Sequence, residues 1–234
     1  MSSAIKLLVF LILNKPILSE SITLAVASNF ALPIKSICET YTGDVQFIFA
    51  SSGKIYAQIL HGAPYDMFFS ADTFKPEKLY ENNLTQSNKP FIYAVGQIAL
   101  LSFDKNEFPI TLNSLKKASA VALANPRLAP YGRAAKQVLD SKHFQQKRKL
   151  IFAENITQTF NFVSSNNISF GFVAISQIQN LSPEQYWIIP NEYYEPVKQA
   201  AVVIKSSPKV EKFLRHFNSK KSKDLIRSFG YETE

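Results

Sequence analysis

The segment from Phe49 to Asp72 constrains the fold more than any other part of the chain. It reads as a strand, a small polar turn at 50–53, an amphipathic helix, a further turn and a second apolar strand. This order places Ser51 and Ser52 at the carboxyl end of a strand, beside the free backbone N–H groups of a helix N-terminus. Such a turn can bind an anion without a formal positive charge.

A second strand-to-helix turn with polar residues lies upstream. A strand pattern at 22–26 runs into a small polar turn, and a helical pattern of apolar residues follows at 34–41. In that turn Ser28 offers a hydroxyl and Asn29 an amide. Two strand-to-helix turns therefore offer hydroxyl, amide and backbone N–H donors, and they predict an anion site.

Three motifs in these segments resemble the substrate-binding proteins of bacterial molybdate/tungstate ABC importers, a branch of the type II periplasmic binding proteins. Weaker matches extend the resemblance over nearly all of the mature chain. It implies an α/β fold of two lobes, each a mostly parallel sheet flanked by helices, with the ligand cleft between them. The motifs are Ala25-Val26-Ala27-Ser28-Asn29, Phe49-Ala50-Ser51-Ser52-Gly53, and Gly62-Ala63-Pro64-Tyr65-Asp66-Met67-Phe68-Phe69-Ser70-Ala71-Asp72.

The resemblance also implies where the chain crosses between lobes. A change of pattern near residue 96 marks the first crossing, and a strand at 199–204 marks the return. We therefore predict one lobe from 20–95 plus 200–234 and the other from 96–199. Two crossings make a hinge, so an anion held by donors of both lobes favours the closed form.

By the same resemblance, the second lobe contributes two donors. One is the backbone N–H of Tyr131, whose phenolic hydroxyl can also point at the ligand, and the other is the backbone N–H of Ile156. Ala174 stands where many molybdate binders present a tyrosine hydroxyl. Either Tyr131 supplies that hydroxyl, or the site has one donor fewer than the family pattern.

Neutral donors suit a fully deprotonated tetrahedral oxyanion, because such an ion accepts a hydrogen bond from every donor and brings no proton that needs an acceptor. Together with the resemblance, this predicts molybdate or tungstate as ligand, preferred over phosphate and, by size, over sulfate. The predicted ligand set is Ser28, Asn29, Ser51, Ser52, Tyr131 and Ile156.

The sequence offers little for a metal, a cofactor or catalysis. The single cysteine, Cys38, lies on an apolar helix face, and the three histidines lack metal-ligand spacing. A serine hydrolase acting through Ser51 or Ser52 needs a base, and no nucleophile elbow or Ser/His/Asp arrangement is present. We predict no catalytic residue, no cofactor and no metal apart from molybdenum in the bound oxyanion.

Two other binding proteins of the same fold remain as alternatives. One takes another oxyanion or a small organic ligand, for which the lost tyrosine at Ala174 and the gained Tyr131 argue. The other is the sensor domain of a transcriptional regulator, but no helix-turn-helix precedes the first strand here. A ligand panel discriminates between the first alternative and the molybdate prediction.

Residues 1–19 resemble a secretory signal peptide, with Lys6, an apolar run from Leu7 to Leu13 and a small residue, Ser19, before the cut. A buried first strand or an uncleaved anchor are the alternatives. The run is too short to span a membrane. We expect a periplasmic monomer that hands its ligand to an ABC permease in the inner membrane.

The net charge of +8 falls to +6 after cleavage, because Lys6 and Lys15 leave with no acid. The mature protein stays basic, which steers an anion towards it. The densest basic clusters, at 145–149 and 219–223, are typical of solvated helix faces. We therefore expect no nucleic-acid partner.

Overall fold

The computed structural model describes residues 21–86 and 89–233, and the predicted signal peptide at 1–19 lies outside them. The chain folds into two lobes, each built on a five-stranded sheet with helices packed against it, as predicted. Within the described ranges, every helix is too short or too polar to cross a membrane.

The first lobe contains the sheet of strand order β2-β1-β3-β10-β4, in which β10 alone runs against the other four strands. Its strands are β1 (Ile22–Ala27), β2 (Val45–Ala50), β3 (Met67–Ser70), β4 (Phe91–Gly96) and β10 (Val197–Val203). Its helices are α1 (Ala31–Cys38), α2 (Ser52–Leu60), α3 (Phe74–Glu81), α7 (Pro208–Phe217) and α8 (Lys220–Ser228).

The second lobe repeats this plan with the order β7-β6-β8-β5-β9, in which β5 is the strand that runs against the others. Its strands are β5 (Ile98–Leu101), β6 (Ala120–Ala124), β7 (Lys149–Ala153), β8 (Gly171–Ala174) and β9 (Tyr186–Ile188). Its helices are α4 (Leu112–Lys117), α5 (Pro130–Asp140) and α6 (Ile156–Ser164).

The central strands form because their sequences are short continuous apolar runs. All four residues of β3 and all four of β8 are buried, which is typical of strands covered by helices on both faces. Each sheet has its own core, so neither lobe depends on the other for a hydrophobic centre. The carboxyl ends of the parallel strands open towards the cleft, where ligands of such sheets bind.

The two chain crossings lie side by side. β4 leads into β5 through Gln97, and the returning β10 begins with Val197 paired to Gly96. The chain thus re-enters the first sheet at Val197, whereas the sequence predicted that this strand begins at 199. Lys198 and Gln199 interrupt the apolar pattern, and this interruption hides the first residues of the strand in the sequence.

Candidate ligand site between the lobes

The starts of four helical segments converge on one cavity between the lobes. α2, α5 and α6 begin at its wall, and so does a short 3-10 turn, Ser28–Phe30, that follows β1. The cavity is small, and none of the residues lining it carries a charge. The predicted site residues that line it are Ser28, Asn29, Ser51, Ser52, Tyr131 and Ile156.

Local sequence explains why these helices begin where they do. Ser51 is extended and precedes the first residue of α2, and Pro130 opens α5 at a position where no N–H is needed. Asn155 caps α6, since its side-chain oxygen accepts from the Gln158 N–H at 3.0 Å. The first N–H groups of each helix have no partner inside the helix, and those that other groups of the protein do not bond lie at the cavity wall as donors, at the positive end of the dipole.

The hydroxyl of Ser51 is a buried polar group that the described part of the protein leaves unbonded at the cavity wall. Ser51 is 2% exposed, and its Oγ has no hydrogen-bond partner among the described residues. A buried hydroxyl without a partner costs folding free energy. An acceptor placed in the cavity removes this cost, because the Ser51 hydroxyl can then donate to it.

Ser52 and Ser28 are the other two serines at the cavity wall. Ser52 Oγ accepts from the Ala71 N–H at 2.9 Å, which leaves its own proton available. Ser28 is 8% exposed at the cavity wall, and its carbonyl oxygen accepts from Thr157 Oγ1 across the cleft at 3.4 Å. The latter bond joins the turn of the first lobe to the start of α6 in the second.

The Asn29 amide, in contrast, is fully engaged by the protein. Its Nδ2 donates to Gln199 Oε1 at 2.7 Å and to the Tyr231 hydroxyl at 3.0 Å. Both amide protons are therefore committed, and the backbone N–H in the first turn is what Asn29 can still offer a ligand. Sequence reasoning missed Gln199 and Tyr231, and neither carries a local signal of this role.

Tyr131 is buried, and its side chain reaches towards the hinge. Its hydroxyl accepts from Gln199 Nε2 at 3.2 Å. A Cβ at Gly96 would lie 2.0 Å from this oxygen, so only glycine leaves room for it. Burial and the nearby Tyr231 hydroxyl hold the pKa of Tyr131 well above its ordinary value, so the phenol stays protonated. The backbone N–H of Tyr131, at the second position of α5, remains for a ligand.

The end of β8 carries an alanine, Ala174, where the resemblance implied a tyrosine. Ala174 is buried and its N–H donates to Gln177 Oε1 at 2.9 Å. The next hydroxyl along the chain belongs to Ser176, which donates to the Asn29 carbonyl oxygen at 2.8 Å rather than pointing into the cavity. Ser176 thus ties the second lobe to the turn that carries Asn29.

Direct contacts hold the two lobes closed around the cavity. The Gly53 N–H donates to the Leu128 carbonyl oxygen at 2.8 Å. Two ion pairs cross the cleft: Lys54 Nζ with Glu154 Oε1 at 2.7 Å, and Arg133 Nη2 with Asp72 Oδ2 at 2.6 Å. The structure therefore represents the closed form.

The described residues contain no cluster of His, Cys, Asp and Glu able to hold a metal ion. Burial raises the pKa of the Cys38 thiol to about 12, so Cys38 remains an unreactive thiol in α1. These observations leave hydrogen-bond donors as the chemistry of the site.

Comparison with known proteins places the chain in a family. Residues 22–232 match the family described as bacterial extracellular solute-binding protein. The chain belongs to that family. As a solute-binding protein it acts outside the cytoplasm, carries its ligand as cargo and is not an enzyme, and it needs no cofactor, as the sequence predicted.

Individual proteins are similar to this chain over most of its length. The solute-binding protein is 33% identical over 229 residues to the molybdate-binding protein ModA of Rhodobacter capsulatus, covering 94% of this chain and 91% of that one. It is 34% identical over 230 residues to the ModA of Azotobacter vinelandii, with 91% and 90% covered. Its structure is similar to the Azotobacter vinelandii periplasmic molybdate-binding protein at a TM-score of 0.82 and 30% identity, covering 91% and 99% of the two chains.

Proposed function

We propose that this solute-binding protein captures molybdate or tungstate between its lobes and delivers the oxyanion to the permease of an ABC importer. The observation that carries the proposal is the buried Ser51 hydroxyl, which has no partner among the described residues, in an uncharged cavity lined by helix N-termini. Support for the ligand comes from the two relatives named molybdate-binding protein, at 33% and 34% identity.

The proposed donors are of two kinds. Hydroxyl groups come from the first lobe, and backbone N–H groups come from both lobes, so that an anion binds fully only when the cleft is closed. The hydroxyl donors are Ser28, Ser51 and Ser52, and the backbone donors are the N–H groups of Asn29, Tyr131 and Ile156.

The donor chemistry favours a dianion without protons. Molybdate and tungstate present only acceptor oxygens at neutral pH, whereas a protonated phosphate presents a donor to a site made of donors. One phosphate proton then faces an N–H or O–H group, and this mismatch costs affinity. Sulfate is also a dianion, so its exclusion rests on its smaller size.

We also propose the cellular setting. Residues 1–19 direct export and are removed, and the mature protein works in the periplasm as a monomer. Lobes formed by 20–95 plus 200–234 and by 96–199 close around the anion. The closed form presents both lobes to the permease in the inner membrane.

Thermal unfolding with and without ligand tests the proposal. The protein is heated alone and with molybdate, tungstate, sulfate or phosphate at equal ionic strength. A ligand at about a thousand times its dissociation constant adds roughly 4 kcal/mol of stability, which raises the midpoint by about ten degrees in a protein of this size. We expect this shift with molybdate and tungstate alone. Equal shifts with sulfate or phosphate refute the selectivity, and no shift with any of the four refutes the proposed ligand class.

A further inference from the structure

Gln199 joins the two halves of the proposed anion site. It is fully buried in β10, at the hinge behind the cavity. Its Oε1 accepts from Asn29 Nδ2 at 2.7 Å, and its Nε2 donates to the Tyr131 hydroxyl at 3.2 Å. Asn29 belongs to the turn of the first lobe and Tyr131 to the helix start of the second. One side chain therefore connects a site residue of each lobe.

The orientation of the Gln199 amide is determined by its partners. Besides Asn29, the hydroxyl of Tyr93 on β4 donates to Gln199 Oε1 at 3.0 Å. A reversed amide would point its N–H groups at the Asn29 amide protons, two donors facing each other. The amide oxygen therefore faces the first lobe and the amide nitrogen the second.

A second set of bonds holds the other side of Asn29. The Tyr231 hydroxyl lies 3.0 Å from both the Asn29 carbonyl oxygen and Ser176 Oγ. Ser176 donates to that same carbonyl oxygen at 2.8 Å from the second lobe. With Gln199 on its amide and this pair on its carbonyl, Asn29 has little freedom to move relative to α5.

The exposed ion pair at the cleft rim is a weaker constraint than this buried network. The side chains of Lys54 and Glu154 are 50% and 45% exposed, and exposed ion pairs contribute little. Gln199 and Tyr131, in contrast, are buried, and in the protein interior hydrogen bonds are stronger and an unmade bond is costly. The rear of the cleft therefore adds a buried constraint on the spacing between the lobes, besides the Gly53–Leu128 and Asp72–Arg133 contacts.

We infer that Gln199 is a positioning residue that sets the distance between the first-lobe and second-lobe donors in the closed form, and thereby the size of oxyanion that the site accepts. The inference rests on the proposed function, since it assigns selectivity to the same site. Gln199 acts through Asn29 and Tyr131 without touching the ligand. Binding sites need donors placed to within about 0.5 Å, so loss of this spacing relaxes discrimination by size.

The test compares the size selectivity of the wild-type protein with that of Gln199→Met. Methionine has a similar length and volume but forms none of the three hydrogen bonds of the Gln199 amide. Titration calorimetry measures molybdate affinity, and competition measures the sulfate concentration that displaces half of the bound molybdate. We expect the ratio of molybdate to sulfate affinity to fall about tenfold or more, as expected for the loss of two or three buried hydrogen bonds.

Gln58→Met is the matched control. Gln58 Oε1 accepts from the Tyr65 hydroxyl at 2.9 Å inside the first lobe, away from the cavity. This variant also loses a hydrogen bond from a tyrosine to a glutamine, yet its selectivity ratio should stay at the wild-type value. If Gln199→Met lowers only the unfolding midpoint and leaves the ratio unchanged, Gln199 is merely structural and the inference is wrong.

Tyr131→Phe is a second test of the role of Gln199 and serves if Gln199→Met does not fold. It removes the same bond from its other end and retains the ring and the backbone N–H. We expect the ratio of molybdate to sulfate affinity to fall less than in Gln199→Met. The double variant should show the same ratio as Gln199→Met alone, because the two residues act as one unit. Additive losses overturn the inference.

Anion binding by the wild-type protein distinguishes failure of this inference from failure of the proposed function. If the wild-type protein binds molybdate selectively and the variants keep that selectivity, the inference fails and the proposed function stands. If the wild-type protein binds none of the four anions, both fail.

Discussion

Ser51 and Asn29 show how neighbouring polar residues of one cavity take opposite roles. Both are buried at its wall. The Ser51 hydroxyl has no protein partner in the described structure, whereas both protons of the Asn29 amide are bonded to Gln199 and Tyr231. The serine side chain is therefore available to a ligand, and the asparagine side chain belongs to the scaffold.

We predict that Ser51→Ala weakens molybdate binding about tenfold to a hundredfold. The variant loses one hydrogen bond to a charged group, and such bonds contribute roughly 1.5–3 kcal/mol. The unfolding midpoint of the ligand-free protein should change little or rise, because the Ser51 hydroxyl has no protein partner to lose. Calorimetry and thermal unfolding of the same samples measure the two quantities.

Ser141→Ala is the control for this prediction. Ser141 Oγ is also buried and without a hydrogen-bond partner, but it follows α5 at the end away from the cavity. We expect wild-type affinity for this variant. An unchanged affinity in Ser51→Ala would show that the hydroxyl does not contact the ligand.

At the scale of elements, the approach of α2 to the second lobe depends on Gly53. Its N–H donates to the Leu128 carbonyl oxygen, and a Cβ at this position would lie 2.8 Å from that oxygen. The three atoms nearest to such a Cβ are all backbone atoms of Leu128 in the second lobe, which cannot move aside as a side chain can. The start of α2 therefore needs glycine in the closed form.

We predict that Gly53→Ala keeps the lobes from closing completely. Small-angle X-ray scattering should show a smaller decrease in radius of gyration on adding molybdate than in the wild-type protein. Affinity should fall about tenfold or more, because the donors of the second lobe no longer reach the anion.

Gly43→Ala provides the comparison for Gly53→Ala. A Cβ at Gly43 would meet only the ring of Tyr41, at 2.6 Å, in the loop after α1. A side chain can move aside, so closure and affinity should match the wild type. Full closure of Gly53→Ala would contradict the role assigned to this glycine.

At the scale of the whole molecule, a buried charge cluster joins the two lobes beside the cavity. Asp72 pairs with Lys75 at 2.5 Å in the first lobe and with Arg133 at 2.6 Å in the second. Burial alone raises the pKa of Asp72, but the charge of Lys75 and the hydrogen bonds from Lys75 and Arg133 outweigh it, so the pKa lies below the ordinary 3.8. The ionised carboxylate therefore stabilises the folded, closed form.

The lowered pKa of Asp72 predicts that the free energy of unfolding depends on pH. A lowered pKa in the folded state contributes stability that is fully present above the unfolded value, about 3.8. That contribution is lost as the pH falls through the lowered pKa. At pH 6, Asp72→Asn should unfold more easily than the wild type by about 3 kcal/mol, because Lys75 keeps a buried charge without its partner. Below pH 3 the difference should shrink, since the protonated carboxyl then resembles the amide.

Denaturant unfolding across pH 2 to 6 measures this difference. Asp140→Asn serves as the control, because Asp140 pairs with Lys136 on the exposed face of α5 and exposed pairs contribute little. A constant difference between Asp72→Asn and the wild type over this range would show that Asp72 does not provide the pH dependence.

The sequence by itself determined the elements and the chemistry of the turns. Apolar runs predicted the buried strands, and the small polar residues after them predicted helix starts at Ser28 and at Ser51 and Ser52, because these signals lie within a few neighbouring residues. The family motifs added the two-lobed fold and a proposed second set of donors, Tyr131 and Ile156.

Only the tertiary structure decided which polar groups of the site are already engaged. The Tyr131 hydroxyl meets Gln199 from 68 residues away, and the Asn29 amide meets Tyr231 from 202 residues away. The two sheets bring these residues together at the hinge, and no local pattern encodes a hydrogen bond over such distances along the chain. The physical reason is that a side chain's free donors depend on its partners in space, whereas its capacity to donate depends on its type alone.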